Sequence, residues 1–115
     1  MASSPRIAIQ GALLPGGSLD EKLFHAARYG FDGVELSVAA GADPDAFVRE
    51  ADAASRQHGL AIAAICTSRA HDPLQPDPEE RRRRFAELTA LAEAAGALGA
   101  AGVVSVPVRP GLGGH

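Results

Sequence analysis

The stretch Gly30–Leu36, with the sequence GFDGVEL, places a glycine just before a short apolar segment, and this arrangement recurs twice farther along the chain. The recurrences are HGLAIAAI at residues 58–65 and LGAAGVVSV at residues 98–106. Each glycine follows a stretch of helical periodicity, where a helix commonly ends in a left-handed residue. The three copies predict a repeated unit in which a helix ends at a glycine and a strand follows within a few residues.

The segments on either side of these glycines alternate in type. Apolar runs typical of strands in a parallel sheet span residues 6–10, 33–37, 60–68 and 102–108. Apolar residues at helical spacing mark residues 18–29, 44–58 and 78–98. Ser18, Asp43 and Asp77 stand at the helix starts, where serine and aspartate are favoured caps. Such alternation predicts an α/β fold with a parallel sheet.

Two α/β architectures fit this order: an open doubly wound sheet and part of an eight-stranded barrel. An open sheet usually carries a ligand-binding loop after its first strand. Here that loop, residues 11–18 with the sequence GALLPGGS, has Gly17 where a phosphate loop needs lysine. The loop is therefore interpreted as a turn that leads into the first helix.

The strands themselves favour the barrel, because alternation separates a bulky apolar face from a small or polar one. In the second strand, Val34 and Leu36 oppose Glu35 and Ser37. We expect the apolar face to pack on helices and the other face, which includes Val103 of the fourth strand, to line a barrel interior. The prediction is half a TIM barrel, with four parallel strands in the order 1-2-3-4 and three helices on one face. The order 2-1-3-4 with helices on both faces would indicate the open sheet.

The sequence of residues 6–37, and above all its GFDGVEL segment, resembles the xylose isomerase-like TIM barrels, as does LGAAGVVSVP at residues 98–107. This family comprises sugar-phosphate isomerases and epimerases and includes endonuclease IV. The resemblance covers residue 5 to about residue 110, but a complete barrel has about 250 residues and eight strands. It therefore implies that residues 1–115 form one partial barrel domain, the N-terminal half.

The resemblance implies metal-assisted proton transfer on an α-hydroxycarbonyl sugar or sugar phosphate in a full-length relative. The divalent metal (Mn, Mg, Co or Zn) is held there by glutamates, an aspartate and a histidine from later strands, so no metal ligand and no catalytic residue carries over. We expect no cofactor in this chain and no activity from it alone. The alternative is a non-catalytic α/β half-barrel that binds a small ligand or associates with itself.

Three residues are candidates for substrate binding. Glu35 is expected to face the barrel interior, where it contacts a substrate hydroxyl or supports the metal site; the alternative is an ion pair with Arg6 or Arg109. His71 follows the third strand and is either a ligand contact or an exposed loop residue. Arg109 follows the fourth strand and is either a phosphate or carboxylate contact or a solvated arginine. Cys66 is interpreted as a small buried apolar residue.

Composition excludes several other classes of protein. The net charge of −3 gives no general attraction to nucleic acid or to an anionic membrane. The basic run Arg81–Arg84 follows Glu79 and Glu80, a spacing typical of a salt-bridged helix surface. No apolar run approaches the ~18 residues of a membrane span. With one cysteine and no apolar segment at the N-terminus, we expect a cytoplasmic protein.

An isolated half barrel leaves its first and fourth strands as open edges. Their unpaired N–H and C=O groups favour pairing with another chain, and the interior face is left without its opposing strands. We therefore expect the chain to form a homodimer, or to aggregate, through these edges.

Overall fold

Three helices start at the predicted caps in the computed structural model, which describes residues 5–105. The Ser18 hydroxyl accepts a hydrogen bond from the Glu21 backbone N–H. The carboxylates of Asp43 and Asp77 likewise accept from the backbone N–H groups of Ala46 and Glu80, three residues farther along the chain. The helices are α1 (Leu19–Arg28), α2 (Pro44–His58) and α3 (Pro78–Ala97).

The predicted glycines end these helices. Gly30, Gly59 and Gly99 all have positive φ, between 69° and 86°, a conformation that costs glycine little. After α2, for example, the Leu60 N–H donates to the Ser55 carbonyl at 3.1 Å, which closes the helix and turns the chain into a strand. The repeated helix–glycine–strand unit is therefore confirmed.

The four strands form one parallel sheet in the order β1-β2-β3-β4, as predicted. They are β1 (Ala8–Gln10), β2 (Gly33–Ser37), β3 (Ala61–Cys66) and β4 (Val103–Val104). Short 3₁₀ turns follow β1 at Gly11–Leu13 and β3 at Arg69–His71. The order confirms a partial TIM barrel and rules out the 2-1-3-4 order of the open sheet.

One face of the sheet carries the core. Val34 and Leu36 are buried with residues of α1 and α2, and Ile65 is buried with residues of α3. Alanines supply much of the helical side of this contact, at positions 26, 51, 54, 94 and 95. Burial of one large aliphatic side chain contributes about 1.5–3 kcal/mol, and Leu23, Val34 and Ile65 are the largest fully buried ones. All three helices lie on this face.

A β-bulge in β3 changes which residues face the helices. Val34 pairs with Ile62 but Glu35 pairs with Ala64, so Ala63 is an extra residue on β3. As a result Ile62 and Ile65, three residues apart, both contribute to the core. Cys66 falls on the opposite face, which we call the inner face.

The prediction for the fourth strand was wrong. Val103 packs against the core on the helix side, whereas Val104 is 44% exposed and pairs in register with Cys66. The inner face of β4 therefore carries Val104. Both residues are valines, so no difference in polarity indicates which of them faces the helices.

Within residues 5–105, no helix combines the length and the apolar character needed to cross a membrane.

Candidate functional site

Polar side chains from three neighbouring strands meet on the inner face, near the carboxyl ends of the strands. Gln10 of β1 pairs in register with Glu35 of β2, which in turn pairs with Ala64 of β3. Cys66 lies two residues beyond Ala64 on the same side. Active sites of TIM barrels lie at this end of the strands, so we take Gln10, Glu35 and Cys66 as the candidate site.

The Cys66 thiol is the most perturbed group of this site. Its Sγ donates to Oε2 of Glu35 at 3.8 Å, and the residue is only 6% exposed. Burial, and then the nearby Glu35 carboxylate, raise the pKa of the Cys66 thiol, while the Gln10 side chain acts in the opposite direction. The group therefore remains a protonated donor near neutral pH rather than a thiolate nucleophile.

Burial of Cys66 agrees with the prediction of a small buried residue, but its contact with Glu35 was not foreseen. Simple alternation along β3 would place residue 66 on the same face as Ile62. The bulge at Ala63 reverses this, and the sequence around residue 63 (AIAAIC) contains no glycine or polar residue that would mark a bulge.

Glu35 itself is half-buried on the inner face, as predicted. Within the part of the chain that the structure describes, it forms no ion pair, and Arg6 is exposed and also unpaired. The Arg6 alternative is therefore not observed. The alternative partner, Arg109, lies outside the described residues. Its ion pair with Glu35 and its role in substrate binding both stay predictions.

His71 is buried, with 5% of its surface exposed, and is not the solvent-exposed loop residue of the alternative interpretation. Its Nδ1 accepts a hydrogen bond from the Ser68 backbone N–H at 3.0 Å and also lies 3.0 Å from the Ser68 hydroxyl. A backbone N–H can only donate, so Nδ1 carries the lone pair and the neutral ring bears its proton on Nε2.

Asp72 is buried beside His71. Its Oδ1 accepts from the Leu74 N–H at 3.1 Å, whereas its Oδ2 is buried and has no hydrogen-bond partner among the residues that the structure describes. An unpartnered buried carboxylate oxygen is costly. The sequence placed both residues after the third strand but contained no signal for their burial, which depends on contacts with α3.

A separate cavity of about 410 Å³ lies between the first βα loop and the start of α1 and α2, lined in part by Ser18, Lys22 and Glu50. Lys22 Nζ donates to the Gly11 carbonyl at 3.0 Å, and the Glu21 carboxylate accepts from the Gly17 N–H at 3.2 Å. The chain's own carboxylate therefore occupies the position that an anion would take at this helix start, in keeping with the interpretation as a turn.

The donor set of the described residues does not fit a divalent metal. Among residues 5–105, no three His, Cys, Asp or Glu side chains lie close enough together to hold an ion. Glu35 and His71 belong to different elements and have Cys66 and Ser68 as their hydrogen-bond partners. No chemical step is therefore assigned to a metal held by these residues.

A model of the xylose isomerase-like TIM barrel family matches residues 23–114. Comparison with curated proteins finds no match. Among solved structures, the 3-keto-D-glucoside 4-epimerase of E. coli is similar, with a TM-score of 0.70 and 24% identity over 87% of this chain and 37% of that one. The D-allulose 3-epimerase of Methylomonas sp., solved with D-allulose, has a TM-score of 0.66 and 22% identity over 96% of this chain and 42% of that one.

This chain thus spans about two fifths of the length of these epimerases. At such identities, the structural likeness establishes the fold alone, and it agrees with a sheet that has four of the eight strands of a barrel. The family model covers most of the chain, including β2 with Glu35, β3 and the loop that carries His71. The chain therefore belongs to the xylose isomerase-like TIM barrel family.

Proposed function

We propose that this chain is the N-terminal half of a sugar isomerase or epimerase barrel and that its inner face binds a small sugar or sugar phosphate. The reaction of the complete barrel is the transfer of a proton at the carbon next to a sugar carbonyl. The observation that supports this most directly is the half-buried Glu35 carboxylate, without an ion-pair partner among the described residues, at the carboxyl end of β2.

Each candidate residue has a role that its chemistry suits. Glu35 accepts hydrogen bonds from sugar hydroxyls, and Gln10, which pairs with it in register, offers both a donor and an acceptor. His71 donates through Nε2–H, because its Nδ1 is already bonded to Ser68. Arg109 binds the phosphate of a sugar phosphate through its planar fork of donors.

The chain is proposed to be inactive by itself. A metal such as Mn²⁺, Mg²⁺, Co²⁺ or Zn²⁺ polarises the carbonyl in this type of chemistry, and the described residues do not provide its ligands. In calorimetric titrations with each of these ions, we expect no binding at micromolar concentration. A tight one-to-one site would contradict this proposal and would direct attention first to Glu35 and His71.

Sugar binding is tested by NMR titration of the ¹⁵N-labelled chain with D-allulose, D-fructose and D-fructose 6-phosphate. We expect saturable shifts of the amides of Gln10, Glu35 and Ser37. Because hydrogen bonds to a charged group contribute about 1.5–3 kcal/mol, E35Q should weaken binding by roughly tenfold or more. The control is E79Q, which neutralises an exposed carboxylate at the start of α3.

Equal affinities of the chain and E35Q, or shifts only at residues remote from the inner face, would contradict the proposal. The same samples, supplied with each metal ion, should not interconvert D-allulose and D-fructose. Turnover by the chain alone would overturn the proposed inactivity.

A second function, self-association, is favoured by the two sheet edges. Among residues 5–105, β1 pairs only with β2, and β4 pairs only with β3. Each copy thus offers one edge of each kind, and two copies can satisfy both edges by placing β4 of one chain beside β1 of the other. Two four-stranded sheets joined in this way supply the eight strands of a closed barrel. We propose a homodimer in which the strand edges pair and the inner face of one copy lies opposite the inner face of the other.

Light scattering on the purified chain tests this association. Val104, which is 44% exposed on the inner face of β4, is replaced by lysine; the control is L74K, at a residue 77% exposed in the loop before α3. We expect the chain and L74K to be dimeric at micromolar concentration and V104K to be monomeric. A monomeric chain, or a V104K variant that remains dimeric, would contradict the proposed interface.

The proposed location is cytoplasmic, in keeping with a single cysteine that forms no disulfide.

A further inference from the structure

The loop between β3 and α3, residues 67–77, is bonded to α3 by a half-buried arginine, Arg84. Nη1 of Arg84, in the second turn of α3, donates to the carbonyl of Arg69 and to the carbonyl of Asp72, both at 3.1 Å. These two carbonyls stand at either end of the 3₁₀ turn that contains His71. One guanidinium group therefore joins both ends of the turn to the helix.

A carboxylate on the same helix fixes the direction of this guanidinium. Nε of Arg84 donates to Oε1 of Glu80 at 2.8 Å, one turn earlier, and the Arg84 side chain is only 17% exposed. Hydrogen bonds from Arg83 and Arg84 lower the pKa of Glu80 to about 2, so the carboxylate is charged at physiological pH. The planar guanidinium thus bonds to Glu80 with one nitrogen and to the loop with another.

The neighbouring arginine provides a contrast. Arg83 also pairs with Glu80, and its Nη1 lies 2.9 Å from Oε1 of Glu87, but its side chain is 58% exposed. Its hydrogen bonds within the described residues all go to these two glutamates, and none goes to the loop. The predicted salt-bridged surface is therefore found at both arginines, and Arg84 in addition bonds to the loop.

We propose that Arg84 is a positioning residue, which holds the Arg69–His71 turn against α3 and so fixes the His71 ring at the carboxyl end of β3. The importance of that ring for sugar binding rests on the proposed function, whereas the hold on the loop does not. Without Arg84, the Arg69 carbonyl keeps the Asp72 N–H at 3.2 Å and the Asp72 carbonyl keeps the Gln75 side-chain amide at 3.4 Å, but neither of these donors belongs to α3. Arg81 of α3 still donates to the carbonyls of Gln75 and Pro76, so the loop is expected to loosen at the Arg69–His71 turn and not as a whole.

The test compares R84Q with R83Q by hydrogen exchange of the backbone amides and by ¹⁵N spectra of the His71 ring. In the unchanged chain, His71 should appear as a single tautomer, protonated on Nε2. In R84Q, we expect the amides of His71, Asp72 and Leu74 to exchange roughly tenfold faster, as expected for the loss of hydrogen bonds to a charged group. The His71 signals should also shift towards a mixture of tautomers. R83Q should leave both measurements unchanged.

R84K keeps the charge but has no planar fork, so it should protect the loop to an intermediate extent. Amides in the middle of α3 serve as the internal reference. If R84Q accelerates exchange equally in the loop and in α3, or if R83Q and R84Q behave alike, the positioning role is overturned. Sugar titration of the same variants separates the two proposals: a loosened loop in R84Q without sugar binding by the unchanged chain contradicts only the proposed function.

Discussion

The Sγ atom of Cys66 lies 3.8 Å from Oε2 of Glu35, although the two residues belong to adjacent strands and pair with different partners. The contact places a thiol donor against the one acidic side chain on the inner face of β2. A change at Glu35 should therefore alter the pKa and the reactivity of the Cys66 thiol, so the thiol can serve as a probe of the candidate site.

E35Q should lower the pKa of the Cys66 thiol. The Glu35 charge and the hydrogen bond it accepts both raise that pKa, whereas burial, the largest cause, remains in the variant. A larger thiolate fraction should make alkylation by iodoacetamide several-fold faster at about pH 8, and the midpoint of the pH–rate profile should move to lower pH. E79Q should react like the unchanged chain. An unaltered profile in E35Q would mean that the carboxylate does not act on the thiol in solution.

G33A should destabilise the fold by about 1–3 kcal/mol, the usual cost of overpacking. A Cβ atom at position 33 would lie 2.9 Å from the backbone carbonyl oxygen of Ala61 in the adjacent strand, so the sheet has to shift. The matched change is G96A in α3, where a Cβ atom meets nothing within 4 Å. There alanine should stabilise the helix by about 0.5–1 kcal/mol. Urea unfolding measures both, and effects of the same sign would contradict this reading of Gly33.

I65A should cost about 2–5 kcal/mol of unfolding free energy, because the side chain has no exposed surface and packs on Leu91, Ala94 and Ala95. This is a large part of the total of about 5–15 kcal/mol expected for a small domain. L74A, at a residue 77% exposed, should change the stability by less than about 0.5 kcal/mol. Similar midpoints of thermal unfolding for the two variants would show that Ile65 is not a core residue.

Glu80 should contribute stability that depends on pH. Its pKa is lowered from 4.5 to about 2 by Arg83 and Arg84 in the folded chain. The unfolded chain therefore takes up a proton before the folded one does, and the contribution is complete above about pH 4.5 and is lost as the pH falls towards 2. The stability difference between the unchanged chain and E80Q should thus shrink across this range in urea unfolding. E79Q, at an exposed residue, is the control; a difference that stays constant with pH would contradict the ion pairing of Glu80.

The elements of this fold could be predicted because their signals are local. Asp43 and Asp77 cap helices through hydrogen bonds to residues three positions away, and α2 begins and ends at the predicted residues. The glycine after each helix acts on the backbone within one turn. Short connections of this kind also determine that neighbouring strands pair in chain order, which is why the half-barrel topology followed from the sequence.

The faces of the strands were predictable only where polarity alternates. Val34 and Leu36 are apolar whereas Glu35 is charged, and the structure confirms the face of the sheet predicted for each of them. Val103 and Val104 do not contrast, and the face of β4 was predicted wrongly.

The sequence by itself thus determined the helices, their ends, the order of the strands and the placement of Glu35 on the inner face. Tertiary structure alone decided that Cys66 contacts Glu35, since the bulge at Ala63 arises from pairing between two strands. It also decided that His71 is buried and that Arg84 holds its turn, through hydrogen bonds between residues 12 to 15 positions apart. Capping and alternation act within a few residues of the chain, whereas strand register and hydrogen bonds between distant residues depend on segments that meet only in the folded protein.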